Sequence, residues 1–264
     1  MIMILNDENY FSKQADIVYC SASQLKDFFG CQGYVGCEAK AIAKIKGEWK
    51  EGIPIAFLVG SYVDAHFAGT LDEFRNNNPD IFTKKGDLKS EFQHAEKMIA
   101  RCERDQYFMK TLSRGKQEIV TSDFFGIKWK GKLDSYHAGI AIVDLKTVKS
   151  IKEKVWNYDF TKKISFIEGY GYDFQLALYQ RLIKEKTGVN LPCFIAAVSK
   201  ENEPDIEVIG IDQETLNLAL SHIETMAPRL IGLKKDEIKP IRCEQCDYCR
   251  YTKVLKSPKH YKFL

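Results

Sequence analysis

Apolar positions along the chain follow two rhythms, and helical spacing dominates the first. Ser21 and Ser23 can cap a short helix whose apolar positions Leu25, Phe28 and Phe29 precede Gly30, a natural stop. The spacing predicts further helices from Glu38 to Lys46, ending at Gly47, and from Ile55 to Phe67, largely apolar and buried. A long half-buried helix is predicted from Lys89 to Leu112, with Phe92, Ala95, Ile99, Cys102 and Met109 on its apolar face. A strand rhythm then takes over. β-Branched and aromatic residues crowd between Glu118 and Phe125, Gly126 offers a turn, and Ile127, Trp129, Gly131 and Leu133 alternate with Lys128, Lys130, Lys132 and Asp134. A third strand is predicted from Ile140 to Lys146, then a helix from Tyr172 to Lys186 that stops before Gly188. Strands over Cys193–Ser199 and Ile206–Ile211 precede an Asp212-capped helix running toward Pro228. This order predicts a mixed β-sheet flanked by helices, α/β or α+β in class.

Composition narrows the picture. With 264 residues, 45% hydrophobic and 28% charged, the chain has the profile of a folded protein, which excludes disordered and fibrous classes. It reads as one domain over residues 1–264, with a mainly helical part (1–112), a core (113–235) and a basic, cysteine-containing tail (236–264). No window approaches the ~20 consecutive apolar residues of a membrane span. The apolar start Met1–Leu5 is broken by Asn6, Asp7 and Glu8 without a basic leader. A cytoplasmic protein with no membrane partner is expected. A net charge of +3 neither demands nor excludes a polyanionic partner, so distribution decides. Lysines cluster at 128, 130 and 132, at 146, 149, 152 and 154, and at 253, 256, 259 and 262. A solvated face explains each cluster taken singly, while the first could also track a phosphate backbone.

The candidate chemistry lies in the strands. Asp144 and Lys146 share one face of a strand, and Asp134 ends the strand before it. Oxygen ligands of this kind suit Mg²⁺ or Mn²⁺, and a lysine beside them can orient the attacking water or stabilise charge on a phosphoryl group. A bare D-x-K pair is more often an ordinary surface ion pair. Here it is followed by Gln175 and Tyr179, four residues apart and so on one face of a helix.

This ordered set resembles the PD-(D/E)XK nuclease superfamily, in its RecB-like branch. By that resemblance Asp134 is the motif's Asp, Asp144-Leu145-Lys146 its acidic-x-Lys, and Gln175 to Tyr179 its Q-x-x-x-Y. The segment from Gly60 resembles the branch's G-x-x-x-H, with Asp64 at the histidine position and His66 as its rival. The two differ by about 200° around a helix, so both cannot reach one ion. Glu118 resembles the extra acidic residue of phage-type exonucleases. The resemblance is closest to RecE-like and lambda-exonuclease-like proteins of phages and prophages, and implies a restriction-endonuclease-like core. It further implies Mg²⁺- or Mn²⁺-dependent digestion of linear duplex DNA from its ends, 5′ to 3′, in a bacterial host cell. A single-strand annealing protein as partner and a homo-oligomer are implied with it.

Eight cysteines without a secretory leader argue against a disulfide framework. Cys243, Cys246 and Cys249 are spaced to converge on one soft metal, and a fourth ligand must come from elsewhere. Some RecB-like nucleases hold a [4Fe–4S] cluster with one early and three late cysteines. By that resemblance Cys31 or Cys37 completes the set, with zinc or plain reduced thiols as the alternatives. Two other functions fit the same residues: an endonuclease or CRISPR-adaptation-type iron–sulfur nuclease, and a zinc-stabilised nucleic-acid-binding module without enzyme activity.

Overall fold

The computed structural model describes residues 3–113, 116–255, 257, 258 and 260. Lys256, Lys259 and Lys262 of the last lysine cluster therefore lie outside the described residues. The helical part begins with α1 (Lys13–Val18) and α2 (Ala22–Phe29), each opened by a serine: Ser12 Oγ accepts from Ala15 N, and Ser21 Oγ from Gln24 N. A small hairpin, β1 (Gly30–Cys31) and β2 (Tyr34–Val35), leads into α3 (Glu38–Lys46). Then come α4 (Ile55–Phe67), α5 (Leu71–Asn77), α6 (Ser90–Glu103) and α7 (Gln106–Ser113). The long helix expected over Lys89–Leu112 is thus two. Asp105 breaks it, because its carboxylate accepts from Phe108 N at 2.9 Å and starts a new helix.

The remaining elements are β3 (Lys116–Phe124), β4 (Ile127–His137), β5 (Ala141–Val148), β6 (Lys154–Trp156) and β7 (Lys163–Ser165). They are followed by α8 (Phe166–Gly169), α9 (Tyr172–Thr187), β8 (Cys193–Ser199), β9 (Ile206–Ile211), α10 (Gln213–Lys234) and α11 (Asp247–Tyr251). Five strands form the central sheet in the order β3-β4-β5-β8-β9, antiparallel except for the parallel β5–β8 pair that α9 connects. The mixed α+β architecture expected from the periodicities is the one present. No helix among the described residues is long and apolar enough to cross a membrane.

Both sheet faces are covered, which explains why β5 and β8 read as nearly continuous apolar runs. On one face, Trp129, Leu133, Ile142 and Ile195 pack with Leu25, Phe28, Leu176, Leu182 and Ile223 of α2, α9 and α10. On the other, Val143, Leu145, Ala196 and Val198 pack with Tyr62, Val63, Phe92 and Met98 of α4 and α6. Gly131 lets α9 lie this close, since a Cβ there would stand 2.8 Å from Leu182.

Two local expectations fail for the same reason, burial. The helix α10 runs through Pro228 to Lys234, where buried Ala227, Leu230 and Leu233 outweigh the backbone hydrogen bond that proline deletes. Lys130 does not sit in a solvent-facing strip with Lys128 and Lys132: it is only 2% exposed, and its Nζ donates to Tyr10 O and Asp16 Oδ1 at 2.6 and 2.7 Å. Lys132 is paired with Asp7 at 2.8 Å. A phosphate-tracking role for that strip loses its central lysine.

Candidate active site

The site is built where β4 and β5 part. Their pairing runs through His137–Ala141, Tyr136–Ile142 and Ser135–Val143, and beyond it the Leu145 amide donates to Asp134 Oδ2 at 2.9 Å, a side chain in place of a backbone carbonyl. On the opposite edge of β4, Lys116 opposes Tyr136 while Glu118 opposes Leu133, so β4 carries an extra residue at Asp134–Ser135. Such a bulge re-aims a side chain out of strand alternation. Here it is Asp134 that is re-aimed.

Asp144 and Lys146 follow normal alternation on β5, on the face covered by α9. Asp144 is 1% exposed; Oδ1 accepts from Gln175 Nε2 at 2.9 Å, and Oδ2 makes an ion pair with Lys146 Nζ. Gln175 also donates to the Tyr179 hydroxyl at 3.0 Å, which donates to Lys132 O at 3.0 Å. The chain β5–Gln175–Tyr179–β4 ties the carboxylate to both strands. Lys146 Nζ lies 5.1 Å from the Tyr172 ring centroid, and Lys26 Nζ lies 5.5 Å from it.

Asp64 arrives from α4. A Cβ at Gly60 would stand 2.9 Å from Thr147 Oγ1, so the glycine one turn earlier is what lets this helix approach β5. Asp64 and Asp134 line two adjoining cavities of about 460 and 360 Å³, the second also lined by Lys132 and Tyr179. His66 lines the first cavity, but Glu103 Oε1 holds its Nε2 at 2.8 Å. Glu118 is not brought to the site. It follows Val120 and Phe124 onto the α9 face and pairs with Lys186 at 2.6 Å. Its neighbour Gln117 lines both cavities instead. Sequence reasoning missed Gln117 and Tyr172; the only signal for Gln117 was strand parity, which the bulge made unreadable.

The electrostatics fit a cation. Burial and the nearby Asp144 charge push Asp134 well above the usual carboxylate range, against the pull of Lys146. Burial raises Asp64 too, with Lys146 opposing and Asp144 reinforcing. Burial would pull Lys146 down, but Asp144 and Asp134 outweigh it and hold the ammonium charged. Three carboxylates crowd around Lys146, with Lys132 also acting on Asp64 and Lys26 on Asp144, and all three are oxygen donors of the kind that suits a hard divalent ion.

A second cluster lies elsewhere. The thiols of Cys37, Cys243, Cys246 and Cys249 lie within 4.8 Å of one another, with Cys37–Cys249 at 3.6 Å and Cys243–Cys249 at 3.9 Å. Backbone amides point at the sulfurs: Lys40 N at Cys37, Cys246 N at Cys243 and Cys249 N at Cys246, at 3.4, 3.3 and 3.5 Å. Burial alone would raise the Cys243 thiol, but amide donors from Gln245 and Cys246 outweigh it and bring it to about 7. Cys31, the rival fourth ligand, donates instead to Gly169 O at 3.0 Å. The donor set fits one soft metal ion.

Comparison with known proteins follows the same lines. The comparison with curated protein sequences found no match. Among solved structures, the chain is similar to a protein from Eubacterium rectale described as a "putative exonuclease": identity is 47%, 98% of this chain and 97% of that one are covered, and the TM-score is 0.95. A second structure, of SSO0001, aligns over 74% of this chain and 84% of that one at 14% identity, with a TM-score of 0.29 that supports no argument. Residues 21–252, which include every carboxylate of the site and all four clustered cysteines, match the model of a PDDEXK-like domain of unknown function (DUF3799), and the chain belongs to that family.

Proposed function

We propose that this chain is a divalent-metal-dependent exodeoxyribonuclease that works as a single domain on the ends of linear duplex DNA. The carrying observation is the convergence of Asp134, Asp144 and Lys146 where β4 and β5 part, with Asp64 facing them from α4. Mg²⁺ or Mn²⁺ held by Asp64, Asp134 and Asp144 would supply Lewis-acid chemistry at the scissile phosphate. Lys146, held charged, orients the attacking water and stabilises charge developing on the phosphate. Gln175 holds Asp144 in place and Tyr179 anchors Gln175. Likeness to the Eubacterium rectale protein supports exonuclease over endonuclease chemistry. A 5′ to 3′ polarity, a role beside an annealing protein in phage-type recombination, assembly into a homo-oligomer and a place in the bacterial cytoplasm extend from the resemblance to phage exonucleases.

At the cysteine cluster the same reading assigns Zn²⁺. Four thiolates on one zinc at about 2.3 Å stand about 3.8 Å apart at tetrahedral angles. Separations of 3.6 and 3.9 Å for two pairs, and of no more than 4.8 Å for any pair, support that arrangement. A [4Fe–4S] cluster binds each thiolate to a different iron and needs them farther apart.

The deciding experiment digests linear duplexes labelled at the 5′ or the 3′ end, and covalently closed circles, with Mg²⁺, with Mn²⁺ and with chelator. Metal-dependent release of the 5′ label from linear duplex, with circles intact, is expected. Efficient nicking of circles would make the protein an endonuclease, and DNA binding without any metal-dependent hydrolysis would leave a zinc-stabilised binding module.

A further inference from the structure

The hairpin β6–β7 exposes aromatic side chains that the active site does not use. Trp156, Tyr158 and Phe160 are 49%, 57% and 75% exposed, and Tyr170 beyond the hairpin is 39% exposed. Lysines surround them: Lys152, Lys154, Lys162 and Lys163 are all exposed, with Lys163 Nζ 5.4 Å from the Trp156 ring centroid. From Lys149 to Lys163 the chain carries five lysines against two carboxylates, Glu153 and Asp159. Glu153 faces Lys149, and Asp159 accepts from Thr161.

The loop at the tip is tied by hydrogen bonds of its own side chains. Buried Asn157 accepts from the amides of Thr161 and Lys162 through Oδ1 at 2.9 and 3.0 Å, and its Nδ2 donates to Thr161 Oγ1 at 2.8 Å. Phe160 sits at φ 58°, a left-handed conformation costly for a bulky side chain, yet its ring faces water. Burial does not explain these rings. Position supplies the second clue: α8 packs on both strands and leads through Tyr170 to Tyr172, the ring against Lys146.

We infer that the β6–β7 hairpin is a stacking platform for single-stranded DNA, on which Trp156, Tyr158 and Phe160 hold unpaired bases while the lysines hold phosphates beside the active site. Exposed π-faces interleaved with lysines suit unpaired bases, because a duplex hides its base faces inside the stack. The occupant is a DNA single strand exposed at the resected end. This rests on the proposed nuclease function, but binding is measurable without cleavage.

The test is fluorescence anisotropy with labelled oligo-dT and with a blunt duplex, in buffer free of added Mg²⁺ and Mn²⁺. Phe160→Ala and Trp156→Ala should each weaken oligo-dT binding about 5- to 100-fold, with duplex binding changed less than twofold. Phe160→Tyr keeps the ring and should restore binding. Lys162→Gln with Lys163→Gln should weaken binding and flatten its salt dependence, whereas the aromatic variants leave that slope alone. Oligo-dT should also quench the tryptophan fluorescence of the parent protein, and quench it less in Trp156→Ala. Equal loss on both DNAs, or no loss in folded variants, overturns the inference. So does a change in oligomeric state on size exclusion, which would make the hairpin a contact between copies. If single-strand binding follows these rules but no DNA is ever hydrolysed, the nuclease reading fails and the platform stands.

Discussion

The molecule contains two places suited to metals, and they are built on opposite plans. At the strand parting, carboxylates from α4, β4 and β5 crowd together, an internal lysine offsets part of their charge, and cavities open beside them. At the cysteine cluster, four thiols gather within 4.8 Å of one another, with Cys37 and Cys249 only 3% and 1% exposed. A metal held by the first would still face the cavities from which a substrate can approach, whereas a metal held by four thiolates would have a closed shell, the arrangement of a structural site. The cluster brings the start of α3 and the α11 segment together across about 200 residues, so a metal bound there would clamp these two segments to each other.

Mutation should separate these plans sharply. Asp144→Ala and Asp134→Ala should each lower DNA cleavage by about 10³-fold or more while the circular dichroism spectrum is unchanged, since each removes charge on which the cation depends. Lys146→Ala should lower turnover about 10²-fold or more with Mn²⁺ affinity little altered. Activity within a few-fold of the parent in either aspartate variant would dismantle the site. At the other cluster the expected order reverses. Cys249→Ser should release about one zinc per chain, measured by elemental analysis, and lower thermal stability markedly, while turnover below the new melting temperature stays within a few-fold. Visible absorbance typical of an iron–sulfur cluster in anaerobically purified protein would reverse the zinc assignment.

A smaller effect tests the helical ligand. Asp64→Ala should weaken Mn²⁺ binding by about tenfold or more in calorimetric titration, against a few-fold for His66→Ala, whose ring is engaged by Glu103. The opposite ranking would put His66 on the ion.

The smallest concerns Asp173, in the first turn of α9. Burial pushes its carboxyl up to about 6, and its Oδ1 has no hydrogen-bond partner. The folded chain therefore holds this proton more tightly than the unfolded one. The resulting stabilisation is present at pH below about 4, is lost as pH rises to about 6 and stays lost above. Asp173→Asn should raise stability at pH 7 by about 1–3 kcal/mol in urea denaturation and flatten its dependence over that window. A stability loss would mean that the charge is used.

Much of this molecule is legible from residues alone, and the illegible parts share a cause. Periodicity locates α2, α3, α4, α9, the β3–β4 hairpin and both later strands, because each buries a face whose period is written locally. The D-x-K pair and the i, i+4 spacing of Gln175 and Tyr179 are local too, and α9 does bring that pair to Asp144. Short elements such as α8 and the β6–β7 hairpin escape notice, since they have too few residues to show a period.

Choices between near neighbours are decided by packing. Strand parity suggests Lys130 as a solvent-facing partner of Lys128 and Lys132, yet the chain near Tyr10 and Asp16 folds over it. Glu118 and Gln117 differ by one position, and the bulge at Asp134–Ser135 decides which faces the cavities. Cys31 and Cys37 are equivalent as a fourth thiol on paper. The contact of α3 with α11 separates them, because a donor contributed from 200 residues away is chosen by where two helices meet, a property of the whole fold that no local spacing records.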